Sequence, residues 1–299
     1  MKLTALKPFS LACLAALSLA ACGGEASKPA ESSASGAAPA AAGQGTLEKI
    51  KSSGTIVLGH RDSSIPFSYI ADQPNQPVGY AHDLQLKVEE AVKKELNMPD
   101  LKVRYNLVTS QNRIPLVSNG TVDLECGSTT NNLERQKQVD FSNAFFEIGT
   151  RLMAAKDAGI NGFGDLKGKT VVTTAGTTSE RLLKEYNDKE KLGMNIISAK
   201  DHGEAALMLF NGRAQAFMMD DILLAGERAK TPNPDNWVIV GEPMSFERYG
   251  CMVRKGDAPF KAVVDGALDA TFKNTAEIDA LYKKWFESPI PPKGVNLEF

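Results

Sequence analysis

The sequence predicts an α/β fold made of two sets of strands and helices of comparable size. Short apolar or alternating runs, typical of strands, are separated along the chain by amphipathic segments typical of helices. This order of strand, helix and strand is the βαβ pattern of an α/β sheet. The pattern occurs twice. The N-terminal segment is followed by about 250 residues, a length sufficient for two modest lobes.

The first set contains three strands and three helical segments. Leu84, Val88 and Val92 are spaced to bury one face of a helix. A second helix opens after Thr109 and stops where Asn119 and Gly120 interrupt it. The predicted strands cover 54–61, 101–108 and 122–126, and the predicted helices cover 83–96, 114–118 and a charged segment that opens at 132.

The second set follows a β-run over 148–155. Its first strand is predicted over 170–174, and Thr177 or Thr178 with Glu180 forms the pattern of a helix N-cap. The other predicted strands cover 195–198, 215–219 and 249–255, and the predicted helices cover 177–186, 205–210, 221–230, 259–273 and 276–286.

The N-terminal residues predict export and attachment to a membrane. Residues 1–21 combine Lys2 and Lys7 with an apolar stretch too short to span a membrane as a mature helix, followed by small residues. Leu-Ala-Ala-Cys22 resembles the lipobox of bacterial lipoproteins, in which the cysteine is lipidated; the alternative is an ordinary secretory signal. Residues 22–46 are almost wholly small or polar and predict a disordered tether. We therefore expect a periplasmic lipoprotein, or one on the outer face of the cell membrane.

Composition excludes several classes of function. Removing Lys2 and Lys7 takes the formal charge from −2 to −4, and the absence of a basic stripe argues against a nucleic-acid partner. The three histidines lack metal-ligand spacing, and no nucleophile elbow or phosphate loop is present. Glu125 and the other strand carboxylates form no evident acid/base pair. We therefore expect no enzyme, no metal and no cofactor.

Two cysteines remain once those of the signal peptide and the lipobox are set aside. In an oxidising compartment Cys126 and Cys251 either form a disulfide, which is the favoured prediction, or remain as two separate buried thiols.

Polar side chains collect after the predicted strands, where open α/β sheets bind their ligands. The planar guanidinium of Arg135 can hold both oxygens of one carboxylate. Three arginines and a histidine stand against one aspartate, which suits a dianion with one ammonium, an acidic amino acid. The candidate residues are Arg61, Ser110, Arg113, Ser128, Thr130, Arg135, Thr177, Thr178, His202 and Asp220.

Several candidates also have a structural explanation. Arg113 could simply place a charge at a helix start, although a cation there opposes the helix dipole. Arg61 could form a surface ion pair, and Arg135 could lie on a solvated helix face. His202 could cap a helix or lie in a loop. Asp220 has Asp221 beside it; we assign Asp220 to the site and Asp221 to the cap of the following helix.

Several longer strings resemble the polar amino-acid-binding proteins of ABC importers, solute-binding protein family 3. They match the glutamate/aspartate-binding members over residues 54–299, with one departure: His60 stands where those members have serine. The strings are 109–113 (TSQNR), 114–123 (IPLVSNGTVD), 125–132 (ECGSTTNN), 132–137 (NLERQK), 199–203 (AKDHG) and 216–221 (AFMMDD).

The resemblance implies a two-lobe type II periplasmic-binding fold, each lobe a mixed sheet flanked by helices, with the ligand in the cleft. Lobe 1 would comprise 47–148 and 246–299, and lobe 2 would comprise 149–245, with crossings near 147–151 and 243–248. Cys251 would then return to lobe 1 near Cys126, which supports the disulfide.

The resemblance also implies roles. The residue at Arg135 grips the α-carboxylate, assisted at Ser128, Thr130 and Thr178, and the aspartate at Asp220 takes the ammonium. Arg61, Ser110, Arg113 and His202 read the side-chain carboxylate, so three cations would surround it. The expected partners are L-glutamate or L-aspartate, an ABC permease and its ATPase subunit, and a monomer is expected. A ligand-presenting sensor and a dehydratase on the same fold are the alternatives.

Overall fold

The computed structural model describes residues 44–286. The predicted signal peptide, Cys22 and most of the predicted tether lie outside the described residues. The strands are β1 (Thr55–His60), β2 (Ser63–Ser64), β3 (Ser68–Ile70), β4 (Pro77–Val78), β5 (Lys102–Leu107), β6 (Leu124–Glu125), β7 (Val139–Ala155), β8 (Thr170–Thr174), β9 (Asn195–Ala199), β10 (Ala216–Asp220), β11 (Trp237–Val240) and β12 (Phe246–Arg254). The helices are α1 (Thr46–Ser53), α2 (Tyr80–Glu95), α3 (Arg113–Ser118), α4 (Thr178–Glu190), α5 (His202–Phe210), α6 (Asp221–Ala229), α7 (Ala258–Lys273) and α8 (Thr275–Phe286).

Nine of these strands form one sheet whose two halves share the long strand β7. In the first half the spatial order is β5, β1, β6, β12 and β7, with β1 parallel to β5 and β6. Strand β7 pairs with β12 as far as Gly149, and from Thr150 onward it pairs with β10 and β11. In the second half β8 lies parallel to both β10 and β9. The sheet is therefore mixed, with helices between its strands, as the α/β prediction requires.

Strand β7 is longer than the sequence analysis predicts. The prediction covers 148–155, the part that crosses into the second half, and misses the residues from Val139 onward. Neighbouring Phe145 and Phe146 are both buried, so the period-two alternation that marks a half-exposed strand is lost there. Register shifts in the pairing with β12 account for part of this irregularity.

The charged segment that opens at 132 is not a full helix, contrary to the prediction. It contains only a 3₁₀ turn, Arg135–Lys137, before β7 begins. The side-chain oxygen of Asn132 accepts a hydrogen bond from the Arg135 backbone N–H at 2.9 Å. This short turn directs Arg135 inward, and the side chain is buried.

Helix α1 also differs from the prediction, which extends the tether to 46. Thr46 is fully buried, and its backbone N–H donates to Asp257 Oδ2 at 2.7 Å. Arg254 Nη1 donates to the carbonyl oxygen of Gln44 at 2.9 Å. The folded region therefore begins no later than Gln44.

Cys126 and Cys251 form a disulfide, which confirms the favoured one of the two predictions. Both residues are fully buried, with their Cα atoms 4.3 Å apart. The bond joins the residue after β6 to the neighbouring strand β12, next to the strand end that carries Ser128. No helix among the described residues has both the length and the apolar character needed to cross a membrane.

Candidate ligand-binding site

The predicted site residues come from both halves of the sheet and meet in one cleft. Arg61, which follows β1, donates through Nη2 to Ser110 Oγ at 3.0 Å and contacts His202 Nε2 at 3.4 Å. Arg135 Nη2 donates to the carbonyl oxygen of Gly176 in the second half at 3.4 Å. Residues far apart in the chain are thus brought into contact by the sheet, and nine of the ten predicted residues are buried, Thr177 being half-buried.

Arg61 is a buried cation surrounded by hydroxyl groups. It is 2% exposed, and besides Ser110 its guanidinium lies 3.5 Å from Ser128 Oγ. Burial, with the nearby charge of Arg113, lowers the pKa of Arg61 to about 10, so it remains charged at neutral pH. Its surface ion-pair explanation is therefore wrong.

His202 contributes no charge at this end of the site, which corrects the expected count of three cations. Burial, and then the charges of Arg61 and Arg113, lower the pKa of His202 well below its usual range. An arginine N–H can only donate, so Nε2 must accept from Arg61 and the proton lies on Nδ1. Nδ1 lies 2.9 Å from Thr174 Oγ1. Asp201, not His202, caps helix α5 by accepting from the Glu204 N–H at 2.9 Å.

Arg113 is as deeply buried as Arg61, and part of its hydrogen-bonding capacity is unused. Nη1 donates to the Ser128 carbonyl oxygen at 2.8 Å and to Thr129 Oγ1 at 2.6 Å. Its Nε is buried without a hydrogen-bond partner among the described residues. Thr129 Oγ1 in turn donates to Glu125 Oε2 at 2.8 Å. Fully buried Glu125, to which the sequence analysis gave no role, is the carboxylate that offsets this cluster of positive charge.

Arg135 is the third buried arginine of the cleft. Its Nη1 donates to the Thr130 carbonyl oxygen at 2.9 Å, so both guanidinium contacts are to neutral carbonyl groups. Burial and the charge of Arg113 lower the pKa of Arg135 to about 9. Within residues 44–286 none of the three arginines forms an ion pair with a carboxylate. Because an unpaired buried charge is energetically costly, three buried guanidiniums without such partners favour the binding of an anion.

Asp220 supplies a carboxylate in the same cleft. It accepts hydrogen bonds from Ser179 Oγ at 3.2 Å and from the Tyr249 hydroxyl. Burial, and then the charge of Glu247, raise the pKa of Asp220 to about 7. Asp220 occupies the N-cap position of α6 without using its side chain as a cap, while Asp221 Oδ1 accepts from the Ile222 N–H at 2.8 Å. Asp221 thus bonds the first turn of α6 from the first helical position and not from the N-cap, and the assignment of Asp220 to the ligand stays a prediction.

The two threonines at the start of α4 also differ in task. Thr177 is the N-cap: it accepts from the Glu180 N–H at 3.0 Å and donates to the Thr174 carbonyl oxygen at 2.7 Å. Its hydroxyl proton is therefore already used in a hydrogen bond to the backbone. Thr178 is buried, and its hydroxyl points to Glu247.

Glu247 is a cleft residue that the sequence analysis missed. Its Oε2 accepts from Thr130 Oγ1 at 2.6 Å and from Thr178 Oγ1 at 2.7 Å. The predicted strand began at 249, and Glu247 lies two residues earlier on β12. The spacing of Glu247 and Tyr249, two residues apart on one face of the strand, was the available signal.

The two halves approach so closely that glycine is required at their contacts. A Cβ on Gly226 of α6 would lie 2.5 Å from the carbonyl oxygen of Ile65, between β2 and β3. A Cβ on Gly176 would lie 2.8 Å from the Gln111 Cα atom. The described arrangement is therefore a closed cleft.

Gly226→Ala should weaken ligand binding. Overpacking against the Ile65 carbonyl would disfavour closure by about 1–3 kcal/mol, although alanine is the better helix former. Gly266→Ala is the matched control, because Gly266 in α7 has open space around its Cα atom. Calorimetric titration should show weaker binding for the first variant and unchanged binding for the second. Equal affinities for both would contradict the closure contact.

Comparison with known proteins places this architecture in a family. The model of the bacterial extracellular solute-binding proteins, family 3, matches residues 56–288. The chain is 70% identical over 255 residues to the L-glutamate/L-aspartate-binding protein of Pseudomonas aeruginosa, covering 85% of this chain and 84% of that protein. It is 56% identical over 263 residues to the glutamate/aspartate import solute-binding protein of Escherichia coli K12, covering 88% of this chain and 86% of that protein.

The fold has solved counterparts. An ancestral arginine-binding protein bound to arginine superimposes with a TM-score of 0.69 at 30% identity, covering 78% of this chain and 98% of that one. The two-lobe fold and the cleft between its halves define a solute-binding protein. The chain belongs to the bacterial extracellular solute-binding proteins, family 3.

Proposed function

We propose that this protein captures L-glutamate or L-aspartate in the cleft and delivers it to an ABC-type permease with its ATPase subunit. The observation that carries the proposal is the set of three buried arginines that have no carboxylate partner in the described region, with Asp220 in the same cleft. An acidic amino acid has two carboxylates and one ammonium, which matches this inventory. The names of both relatives include these two amino acids, which supports the same ligand, and the name of the Escherichia coli relative includes import, which favours an importer over a sensor.

The three functional groups of the ligand are assigned by charge. Arg135 takes the α-carboxylate, and Asp220 takes the ammonium. Arg61 and Arg113 take the side-chain carboxylate, with Ser110 and His202 beside them. Burying two carboxylates is tolerable only where each is paired and fully hydrogen-bonded, which this arrangement allows.

In this proposal two lobes close around the ligand, and the closed protein carries it to the permease. We assign 47–148 and 246–299 to lobe 1 and 149–245 to lobe 2, with hinges near 147–151 and 243–248. The change of pairing partner along β7, between Gly149 and Thr150, supports this division. Rotation about such hinges would open the cleft, and the closed form would dock on the permease as a monomer. The signal-like residues 1–21 and the lipobox-like Cys22 support anchoring by lipid in the periplasm or on the outer face of the cell membrane.

Calorimetric titration tests the ligand. The protein without its predicted signal peptide, carrying C22S to prevent lipidation, is titrated with L-glutamate, L-aspartate, L-glutamine and L-histidine. We expect tight one-to-one binding of the two acids alone, because a neutral amide would leave a buried guanidinium unpaired. No detectable binding of either acid, or tighter binding of an uncharged or basic ligand, would overturn the proposal.

A further inference from the structure

Glu247 joins the two halves of the cleft through a single carboxylate. Thr130, which donates to it at 2.6 Å, lies in the first half, and Thr178, which donates at 2.7 Å, lies in the second. The other carboxylate oxygen accepts from Ser245 Oγ at 3.1 Å. The carboxylate thus accepts three hydrogen bonds from hydroxyl groups at a point where the two halves meet.

Glu247 also interacts electrostatically with two of the buried arginines and with Asp220. Its charge acts on Arg135 and Arg113 as an attractive neighbour and on Asp220 as a repulsive one. Glu247 and Tyr249 lie two residues apart on β12 and so face the same side of the strand, and Tyr249 donates to Asp220. Glu247 and Asp220 are therefore neighbouring carboxylates in one cleft.

The direction of these hydrogen bonds limits what the two threonines can offer a ligand. A hydroxyl has one proton and two lone pairs. The protons of Thr130 and Thr178 are directed at Glu247, so each hydroxyl presents only lone pairs to the rest of the cleft. Lone pairs repel a carboxylate and accept from an ammonium.

We propose that Glu247 is a positioning residue for the ligand's ammonium group. Because Glu247 accepts hydrogen bonds from the hydroxyls of Thr130 and Thr178, both hydroxyls act as acceptors toward the ligand. Together with Asp220 they select ligands that carry a protonated amine. This inference rests on the proposed function and deepens it. It moves Thr130 and Thr178 from the α-carboxylate, where the resemblance placed them, to the ammonium.

The pairing of Glu247 with Asp220 has a consequence for pH dependence. The charged and titratable groups that act on Asp220 are Glu247 and Tyr249 of β12, its neighbour Asp221, and Arg113 and Arg135; Ser179 of α4 adds a hydrogen bond. Burial and the charge of Glu247 raise the pKa of Asp220 to about 7, and a ligand's ammonium would favour the ionised form. Affinity should therefore fall as the pH drops below 7, by up to about tenfold per pH unit. Removing the charge of Glu247 should lower the pKa of Asp220 and move this fall to lower pH.

The test compares E247Q with the wild type, using L-glutamate and glutarate, which has the same two carboxylates without the amine. We expect E247Q to bind L-glutamate about 10- to 100-fold more weakly at pH 8. Glutarate should bind E247Q no more weakly than it binds the wild type. The midpoint of the affinity loss for L-glutamate between pH 8 and pH 5 should shift to lower pH in E247Q.

E185Q is the matched control. Glu185 lies on α4, the helix that begins with Thr178, and forms an exposed ion pair with Arg181 at 2.9 Å, so the same substitution removes a surface charge outside the cleft and the hinges. This variant should retain wild-type affinity for both ligands and the wild-type pH midpoint.

Equal weakening of both ligands by E247Q, with an unchanged pH midpoint, would show a structural role only and overturn the inference alone. If glutarate binds neither protein measurably, the pH midpoint decides, and an unshifted midpoint overturns the inference. Failure of the wild type to bind L-glutamate would overturn the proposed function, and this inference with it.

Discussion

Arg135→Ala is expected to abolish tight binding of L-glutamate and L-aspartate. In the proposed complex the α-carboxylate would be buried against the Arg135 guanidinium, which donates to the carbonyl oxygens of Thr130 and Gly176. Removing one partner of a buried ion pair costs about 3–5 kcal/mol, because the other charge is left uncompensated. That cost corresponds to a loss of roughly 150- to 5,000-fold in affinity, measurable by calorimetric titration.

Two further variants sharpen this test. Arg135→Lys keeps the charge without the planar pair of donors, so its affinity should lie between those of the wild type and the alanine variant. Arg181→Ala removes an arginine of α4 whose exposed partner is Glu185, and it should leave affinity unchanged. Near-native affinity of Arg135→Ala would refute the assignment of the α-carboxylate.

Removal of the disulfide should cause the largest loss of stability. The bond joins residues 125 positions apart, and the double variant C126A/C251A loses this restraint on the unfolded chain. Loss of a disulfide that closes so long a loop is expected to lower the free energy of unfolding by about 2–5 kcal/mol. Urea unfolding followed by circular dichroism would measure the change.

The wild type unfolded in the presence of dithiothreitol is the control, because the bond is then reduced in the unfolded state without any loss of buried side-chain volume. Both samples should unfold at lower urea concentration than the oxidised wild type. An unchanged midpoint for the reduced protein would show that the bond adds nothing to stability.

The regular parts of the fold were predictable because their patterns are local. The prediction for β8 matches Thr170–Thr174, since a β-branched run between turn residues reports a buried strand directly. The prediction for α3 differs from the structure by one residue, because Asn119 and Gly120 end it locally. The cap of α4 was also local: Thr177 and Glu180 are three residues apart.

Elements that depend on distant partners were missed or misjudged. Strand β11 exists through its pairing with β7, and α1 is held by Asp257 and Arg254 from the far end of the chain. Short strands β2, β3 and β4 likewise form only as a small antiparallel sheet. No local pattern contains this information, because the stabilising contact lies more than a hundred residues away or in a partner strand.

The α/β class, the resemblance to the family and the chemical groups of the site could all be predicted from the sequence. Residue types and short spacings are sufficient for these, since charge and hydrogen-bonding capacity belong to the side chains themselves. The folded arrangement was needed to establish that Cys126 and Cys251 are joined, that His202 is uncharged and that Glu247 accepts hydrogen bonds from Thr130 and Thr178 across the cleft. Each of these depends on burial and on charges brought together from remote parts of the chain, and the pKa of a group and the direction of its hydrogen bonds are properties of those surroundings.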